Sequence, residues 1–295
     1  MARARRPVAL RRTWLFVPGA DRAALEAAAA SEADVVIQEL EDFTAPDRRP
    51  AARAMAASLY DGWRAAGRVA AVRINPLAGD GMADLEAVMA GRPDVVLLPK
   101  ADRPAQVIEL AACVERLERR HGIAPGATEL VPNIESARGL VATLAIATAS
   151  PRVTACLVAS EDMAADLGAE RGRDAIELDH VRARFHVDCV AAGVLSIDCP
   201  YTWRDTEGAV ADALRARRLG YRAKSLVVAE HARAINAALT PAPAEVAQAR
   251  RVVQAFERAR GEGLGGVELD GSMVELPIYL NAKRLLARAE ALGIG

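Results

Sequence analysis

Aromatic residues are scarce in this chain, with Phe, Trp and Tyr together making up 4% of its 295 residues. Ala, Val, Leu and Ile must therefore fill the interior, and a hydrophobic content of 52% is enough for a large core. Long apolar runs are missing, and none approaches the roughly 20 residues that a spanning helix needs, so a soluble protein without a membrane partner is expected. Net charge is almost absent, at -1 with 26% charged residues, which removes any bulk attraction to nucleic acid. Cysteine is sparse, and Cys113, Cys156, Cys189 and Cys199 form no C-x-x-C pair. That excludes a disulfide framework and fits a reducing, cytoplasmic setting, with Cys113 and Cys156 reading as small buried hydrophobes. His121, His180, His186 and His231 lack zinc-type spacing, and His186, in a helical pattern, reads as structural. Arg3, Arg5, Arg6, Arg11 and Arg12 are not followed by an apolar segment of signal-peptide length, so residues 1–12 read as a flexible basic arm.

What is present is alternation. Short β-rich runs near Thr13–Val17, Asp34–Gln38, Val69–Ile74, Val95–Pro99, Glu129–Ile134, Thr154–Ala159, Val194–Asp198 and Arg222–Val228 are predicted as strands. Several are continuously apolar, as strands covered on both faces must be. Alanine-rich stretches between them, such as Ala23–Ala30, Ala105–Arg119 and Asp179–Ala192, carry helical periodicity. Eight such units predict an α/β chain folded as a (β/α)₈ TIM barrel over residues 13–239. An open doubly wound sheet would show a glycine-rich dinucleotide turn after the first strand, and Val17-Pro18-Gly19-Ala20 is not one. Thr240-Pro241-Ala242-Pro243 then reads as a stop. A helix with apolar positions Val246, Ala249, Val252/Val253, Phe256 and Ala259 follows, then a glycine-rich stretch and a last helix. Residues 240–295 therefore form a C-terminal helical extension, packed on the barrel or on a neighbouring subunit.

The ends of the apolar runs carry the charge. In a barrel of this kind the strand C-termini and following loops build the active site. Here they bring Glu39-Leu40-Glu41-Asp42, Arg73 and Asn75, Lys100, Glu135, Glu161-Asp162 and Asp198. Carboxylates gathered on one face repel, and a cation with Arg73 and Lys100 relieves that. Glu135 and Asp162, on neighbouring strands, offer hard oxygen ligands suited to Mg²⁺. Each has a plainer reading: Asp162 as a helix N-cap, Glu135 as a surface ion pair with Arg138. Lys100 reads as a structural ion pair, with a Schiff-base lysine as the alternative.

Six ordered stretches then carry a family pattern: Leu15-Phe16-Val17-Pro18-Gly19, Leu40-Glu41-Asp42, Val72-Arg73-Ile74-Asn75, Leu98-Pro99-Lys100, Ile134-Glu135-Ser136-Ala137-Arg138-Gly139, and Glu161-Asp162-Met163-Ala164-Ala165-Asp166-Leu167-Gly168. From about Arg12 to Leu286 the chain resembles the citrate lyase β-subunit-like family of the HpcH/HpaI aldolase superfamily, which includes malyl-CoA and citramalyl-CoA lyases. The resemblance implies Mg²⁺ on Glu135 and Asp162, with Arg73 holding a substrate oxygen and Glu41 and Asp42 organising the site floor. It implies substrate contacts from Phe16, Arg22, Asn75 and Lys100. It also implies a homotrimer or a pair of trimers, in which Glu275 from a neighbour's extension works as acid/base.

The resemblance implies a carbon–carbon lyase that cleaves or forms a β-hydroxyacyl-CoA of the malyl, citramalyl or citryl type. Departures from the pattern keep two alternatives open. Glu39 and Glu275 stand where the family usually has Asp, Val227-Val228-Ala229 replaces Ile-His-Pro, and Ala27 lies near the usual lysine. The first loop therefore offers few cations for CoA phosphates beyond Arg22. A lyase of free hydroxy or oxo acids is one alternative, and a catalytically poor binding relative is the other. Cys199, where glycine is frequent, reads as filler more than as a nucleophile.

Overall fold

The computed structural model describes residues 5–294. The described residues up to Asn236 form one compact unit, and those from Ala237 form a second.

The first unit is a closed barrel of eight parallel strands, each paired with the next in sequence and β8 returning to β1. The strands are β1 (Thr13–Pro18), β2 (Val35–Glu39), β3 (Val69–Arg73), β4 (Val95–Leu98), β5 (Glu129–Ile134), β6 (Ala155–Val158), β7 (Leu195–Asp198) and β8 (Ala223–Leu226). Each lies within a residue or two of its predicted span, the ordinary uncertainty of strand ends. The expected (β/α)₈ fold is the one observed.

Alternation decides what fills the barrel. Trp14 and Phe16, Val35 and Ile37, Val69 and Ala71, Val95 and Leu97, Val131, Ala155 and Leu157, Ile197 and Ala223 form one buried cluster. These are every second residue of their strands, so they share the inner face. The intervening Val36, Val72, Val96 and Leu130 are equally buried, under the helices. Helix Arg49–Ala65 shows the matching pattern, burying Ala52, Met55, Ala56, Leu59, Tyr60 and Trp63 along one stripe. The few buried aromatics find polar partners: Tyr60 donates to Gln38 Oε1 at 2.7 Å and Trp63 Nε1 to the Leu25 carbonyl at 2.9 Å.

Within the expected basic arm, the described residues 5–12 are held by ion pairs. Arg11 is almost wholly buried and grips Glu129 with two hydrogen bonds of 2.6 and 2.9 Å. Arg12 pairs with Asp34 at 3.0 Å, Arg6 with the same carboxylate at 3.4 Å, and Arg5 with Glu129 at 3.2 Å. These acids sit at or just before strand N-termini, so the arginines tie down the end of the barrel away from the expected site. Arg3 lies outside the described residues.

In the second unit, helix Pro243–Gly261 buries Val246, Ala249, Val252, Phe256 and Ala259, the spacing expected from sequence. A hairpin follows, β9 (Val267–Leu269) with β10 (Ser272–Val274), which the sequence reading did not assign. Its two-residue turn, Asp270-Gly271, has both residues at positive φ (52° and 74°), the geometry that favours an Asp-Gly pair. Helix Leu276–Ala291 then closes a small core in which Phe256 stacks on Tyr279 with centroids 4.7 Å apart. No helix among the described residues is long and apolar enough to cross a membrane.

Candidate active site

The same two-residue alternation that fills the barrel continues past its last apolar layer. Ile37 is followed on the inner face by Glu39, Ala71 by Arg73, and Val131 by Asn133 and then Glu135. Strand geometry therefore aims Glu39, Arg73 and Glu135 inward at the C-terminal mouth of the barrel.

Arg73 is the hub. Its Nε donates to Glu39 Oε1 at 2.9 Å, and its Nη atoms lie 3.4 Å from Glu41, 3.7 Å from Glu135 and 3.8 Å from Asp42. Its guanidinium stands 5.1 Å over the Phe16 ring and 6.0 Å from Phe43. Burial alone would pull its pKa down, but Glu39, Glu41 and Glu135 outweigh this and raise it, so the cation is secure. Glu39, fully buried, also accepts from the backbone N–H groups of Glu41 (2.7 Å) and Phe43 (2.6 Å), which folds the acidic loop back over the site. That loop leans on Gly19, where a Cβ would stand 2.3 Å from the Glu39 carbonyl oxygen.

Lys100 donates to Glu41 at 2.7 Å and faces Asp42 at 3.5 Å. Partial burial lowers its pKa, but the Glu41 hydrogen bond and neighbouring carboxylates raise it overall, which keeps the amine protonated. Its backbone is held at φ 48°, a left-handed conformation costly for a side chain of this size. The Schiff-base alternative loses its premise, since that chemistry needs a neutral amine.

Glu135 is the anomaly. It is 3% exposed, and neither carboxylate oxygen receives a hydrogen bond. Burial, with Glu41 and Asp162 adding negative charge, pushes its pKa up to about 7 despite Arg73. A buried carboxylate without donors is costly and calls for a partner. The surface pair with Arg138 does not form, because Arg138 is exposed and reaches Asp102 at 3.9 Å instead. Nor is Asp162 an N-cap; it lies inside the first turn of helix Glu161–Leu167, behind Ser160. Two hard carboxylates with electrostatic influence on each other, one lacking any donor, fit a divalent cation. No cluster of three or more His, Cys, Asp or Glu suited to a metal exists among the described residues. Glu135 and Asp162 could supply two oxygen ligands, with substrate and water completing the shell as Mg²⁺ commonly has it.

A cavity of about 110 Å³ opens beside these groups. Arg73, Asp42, Glu161 and Asp162 supply its charged lining, Ser160, Thr202 and Ser225 its hydroxyls, and Phe16, Leu157, Pro200 and Val227 much of its apolar wall. Glu161 accepts from Thr202 at 3.1 Å and from Arg171 at 3.2 Å, and Arg171 in turn stands 5.2 Å over Trp203.

Three expected site residues have surroundings of their own. Arg22 opens helix Arg22–Ala28, is exposed, and pairs with Glu26 at 3.3 Å. Asn75 is buried, its amide donating to the Leu40 carbonyl and to Asp84, so it braces the loop after β2. Glu275 precedes the last helix in the second unit, exposed and capping nothing. Asp198, expected on the open face, is fully buried and held by Arg182 (2.7 and 2.9 Å) and Lys224 (2.6 Å), with Asp212 completing the network. Cys199 beside it is buried, which pushes its thiol up to about 12 and leaves it unreactive. His186 hydrogen-bonds Ser196 at 2.8 Å and serves structure.

Comparison with known proteins bears on this arrangement. A family model described as HpcH/HpaI aldolase/citrate lyase matches residues 12–229. Citrate lyase subunit beta of Escherichia coli strain K12 is 36% identical over 288 residues, 96% of this chain and 95% of its own. A (3S)-malyl-CoA thioesterase of Cereibacter sphaeroides is 32% identical, covering 95% of each chain. Among solved structures, CitE of Mycobacterium tuberculosis in complex with magnesium, acetoacetate and coenzyme A superposes with a TM-score of 0.76 at 31% identity. That match covers 95% of this chain and 98% of the other. With the barrel, the ordered motifs and these likenesses in agreement, the chain belongs to the HpcH/HpaI aldolase/citrate lyase family.

Proposed function

We propose that this protein is a Mg²⁺-dependent carbon–carbon lyase that cleaves or forms a β-hydroxyacyl-CoA, with Glu135 and Asp162 as the protein's metal ligands. The observation that carries the reading is the Glu135 carboxylate, buried with both oxygens unpaired beside Arg73. Its family, the citrate lyase and malyl-CoA relatives, and the magnesium and coenzyme A complex of a 31% identical structure support it.

Bound there, Mg²⁺ would supply Lewis-acid polarisation of the oxo or hydroxy acid and a counter-charge for oxygen as the carbon–carbon bond changes. Arg73, fixed by Glu39 and stacked on Phe16, presents a permanent cation to a substrate carboxylate or developing oxyanion. Lys100 stays protonated against Glu41 and Asp42 and holds the acidic loop. Phe16, Leu157 and Val227 give the reacting carbons a surface that excludes water. Glu275, whose carboxylate caps nothing, is the proposed acid/base at the acyl carbon, supplied in a trimer or hexamer by a neighbouring subunit.

A second reading, a lyase of free acids, is favoured by one observation: Arg22, the cation expected for CoA phosphates, is exposed and paired with Glu26. Purified protein with Mg²⁺ would be offered malyl-CoA, citramalyl-CoA and citryl-CoA, and separately the free acids malate, citramalate and citrate, while oxo acid and free thiol are both measured. Oxo acid without free thiol supports the lyase. Free thiol without oxo acid makes the protein a thioester hydrolase, and turnover of free acids alone selects the second reading.

A further inference from the structure

We propose that Asn133 is a positioning residue: it holds ordered water against the Glu135 carboxylate inside the barrel, and so fixes the direction in which Glu135 meets the metal. The inference rests on Glu135 being a metal ligand, as proposed above. Among the described residues, buried side-chain polar atoms without a hydrogen-bond partner gather around the barrel mouth: one on Glu41, two on Asn133 and two on Glu135. Of the three residues, Asn133 alone is uncharged and has no part in the proposed chemistry.

Its place follows from β5. Val131, Asn133 and Glu135 alternate inward, and Val131 belongs to the apolar cluster that also contains Leu97 and Leu157. Leu157 lies opposite Asn133 in the strand register. A leucine there would extend the apolar layer, whereas a fully buried, unmatched amide costs free energy. The strand cannot turn it away, because the Asn133 carbonyl accepts from the Ala101 N–H at 3.0 Å and locks the backbone. The cations of the mouth are engaged. Arg73 Nε donates to Glu39 while its Nη atoms face Glu41, Asp42 and Glu135, and Lys100 is held by Glu41 and Asp42. Two strand residues apart, Asn133 and Glu135 have Cα atoms about 6–7 Å from each other. One water spans such a gap with two hydrogen bonds of about 2.8 Å each. Water suits the pair because carboxylate oxygens only accept, while an amide both donates and accepts. The Asn133 N–H donates to the water, and the water donates to the inward oxygen of Glu135. The other oxygen then faces the cation in one direction. Polar groups that orient a metal ligand in this way are worth about 10–100-fold in affinity.

The test joins a high-resolution crystal structure of the whole protein to Mg²⁺ binding by titration calorimetry, and neither needs turnover. The crystal structure is expected to show ordered water within about 3.2 Å of both the Asn133 amide and the Glu135 carboxylate. A dry gap, or an amide bonded directly to Glu135, overturns the inference. Asn133→Leu, similar in shape, is expected to bind Mg²⁺ about 10–100-fold more weakly than wild type. Asn133→Ser keeps a polar group and leaves room for one more water, and should stay within about threefold of wild type. Unchanged affinity in the leucine variant overturns the inference and leaves Glu135 as a ligand. Equal losses in both variants make Asn133 a packing residue and also overturn it. Wild type that binds no Mg²⁺ overturns the ligand assignment itself. If Asn133→Leu does not fold, the presence or absence of the water in wild type decides alone.

Discussion

Replacing Glu135 by Gln is expected to stabilise the metal-free protein at alkaline pH while destroying its affinity for Mg²⁺. A carboxyl whose folded pKa, about 7, exceeds its ordinary 4.5 holds its proton more tightly folded than unfolded. The sign is opposite to that of a salt-bridged acid. No penalty exists below pH 4.5, where both states are protonated; stability is lost as pH rises through the window up to 7, and the loss is complete above it. At 1.36 kcal/mol per pH unit the full cost is about 3 kcal/mol, of which about 2 kcal/mol accrues between pH 5.5 and pH 8. Glutamine cannot ionise, so the stability difference between Glu135→Gln and wild type should grow by that amount across the interval. Urea denaturation of chelator-treated protein at both pH values measures it, and subtracting the two proteins cancels the titrating groups that do not interact with Glu135. Mg²⁺ at about a hundred times its dissociation constant should return roughly 2.7 kcal/mol to wild type and nothing to the variant. A difference that stays flat with pH, or a variant that still gains stability from Mg²⁺, refutes the reasoning.

Three further outcomes follow from the geometry. Glu39→Gln places an amide among three donors, the N–H groups of Glu41 and Phe43 and the Arg73 guanidinium; turnover on the best thioester should drop about a hundredfold, with a stability loss of about 3 kcal/mol by denaturation. Arg182→Met strips Asp198 and Asp212 of a buried partner and should cost about 3–5 kcal/mol, while Mg²⁺ affinity measured calorimetrically stays at the wild-type value. Gly19→Ala drives a methyl toward the Glu39 carbonyl and should lower stability by about 1–3 kcal/mol, with a parallel loss of turnover because the acidic loop shifts.

The barrel was legible because its strands are buried on both faces. Runs such as Val95-Val96-Leu97-Leu98 have little choice but a covered parallel sheet. The helix Pro243–Gly261 was legible for the complementary reason, a single apolar stripe of period 3.6. The β9–β10 hairpin escaped because three-residue strands carry almost no periodic signal, although its Asp-Gly turn was a usable cue. Charge was the harder matter. Sequence shows that Arg11 and Asp198 are charged but not that Glu129, 118 positions away, and Arg182 will neutralise them. Glu39 was legible at the end of its strand, and carrying the inward alternation one step beyond Ile37 also gives its direction. Which carboxylate would lack a donor, Glu135 and not Asp198, depends on packing that no local pattern encodes.

The ring of strands has a temporal cost. The edge of β1 is sealed only by β8, through pairs such as Thr13 with Lys224, so more than two hundred residues must leave the ribosome before the first strand finds its second neighbour. At ordinary synthesis speeds that is a wait of roughly 10–40 s. During it, the arginines that precede β1 have nearer acids on offer, Asp34 and Asp94 and then Glu129. Anchoring the newborn strand to the ends of β2, β4 and β5 would keep its open edge from recruiting another chain until the circle closes.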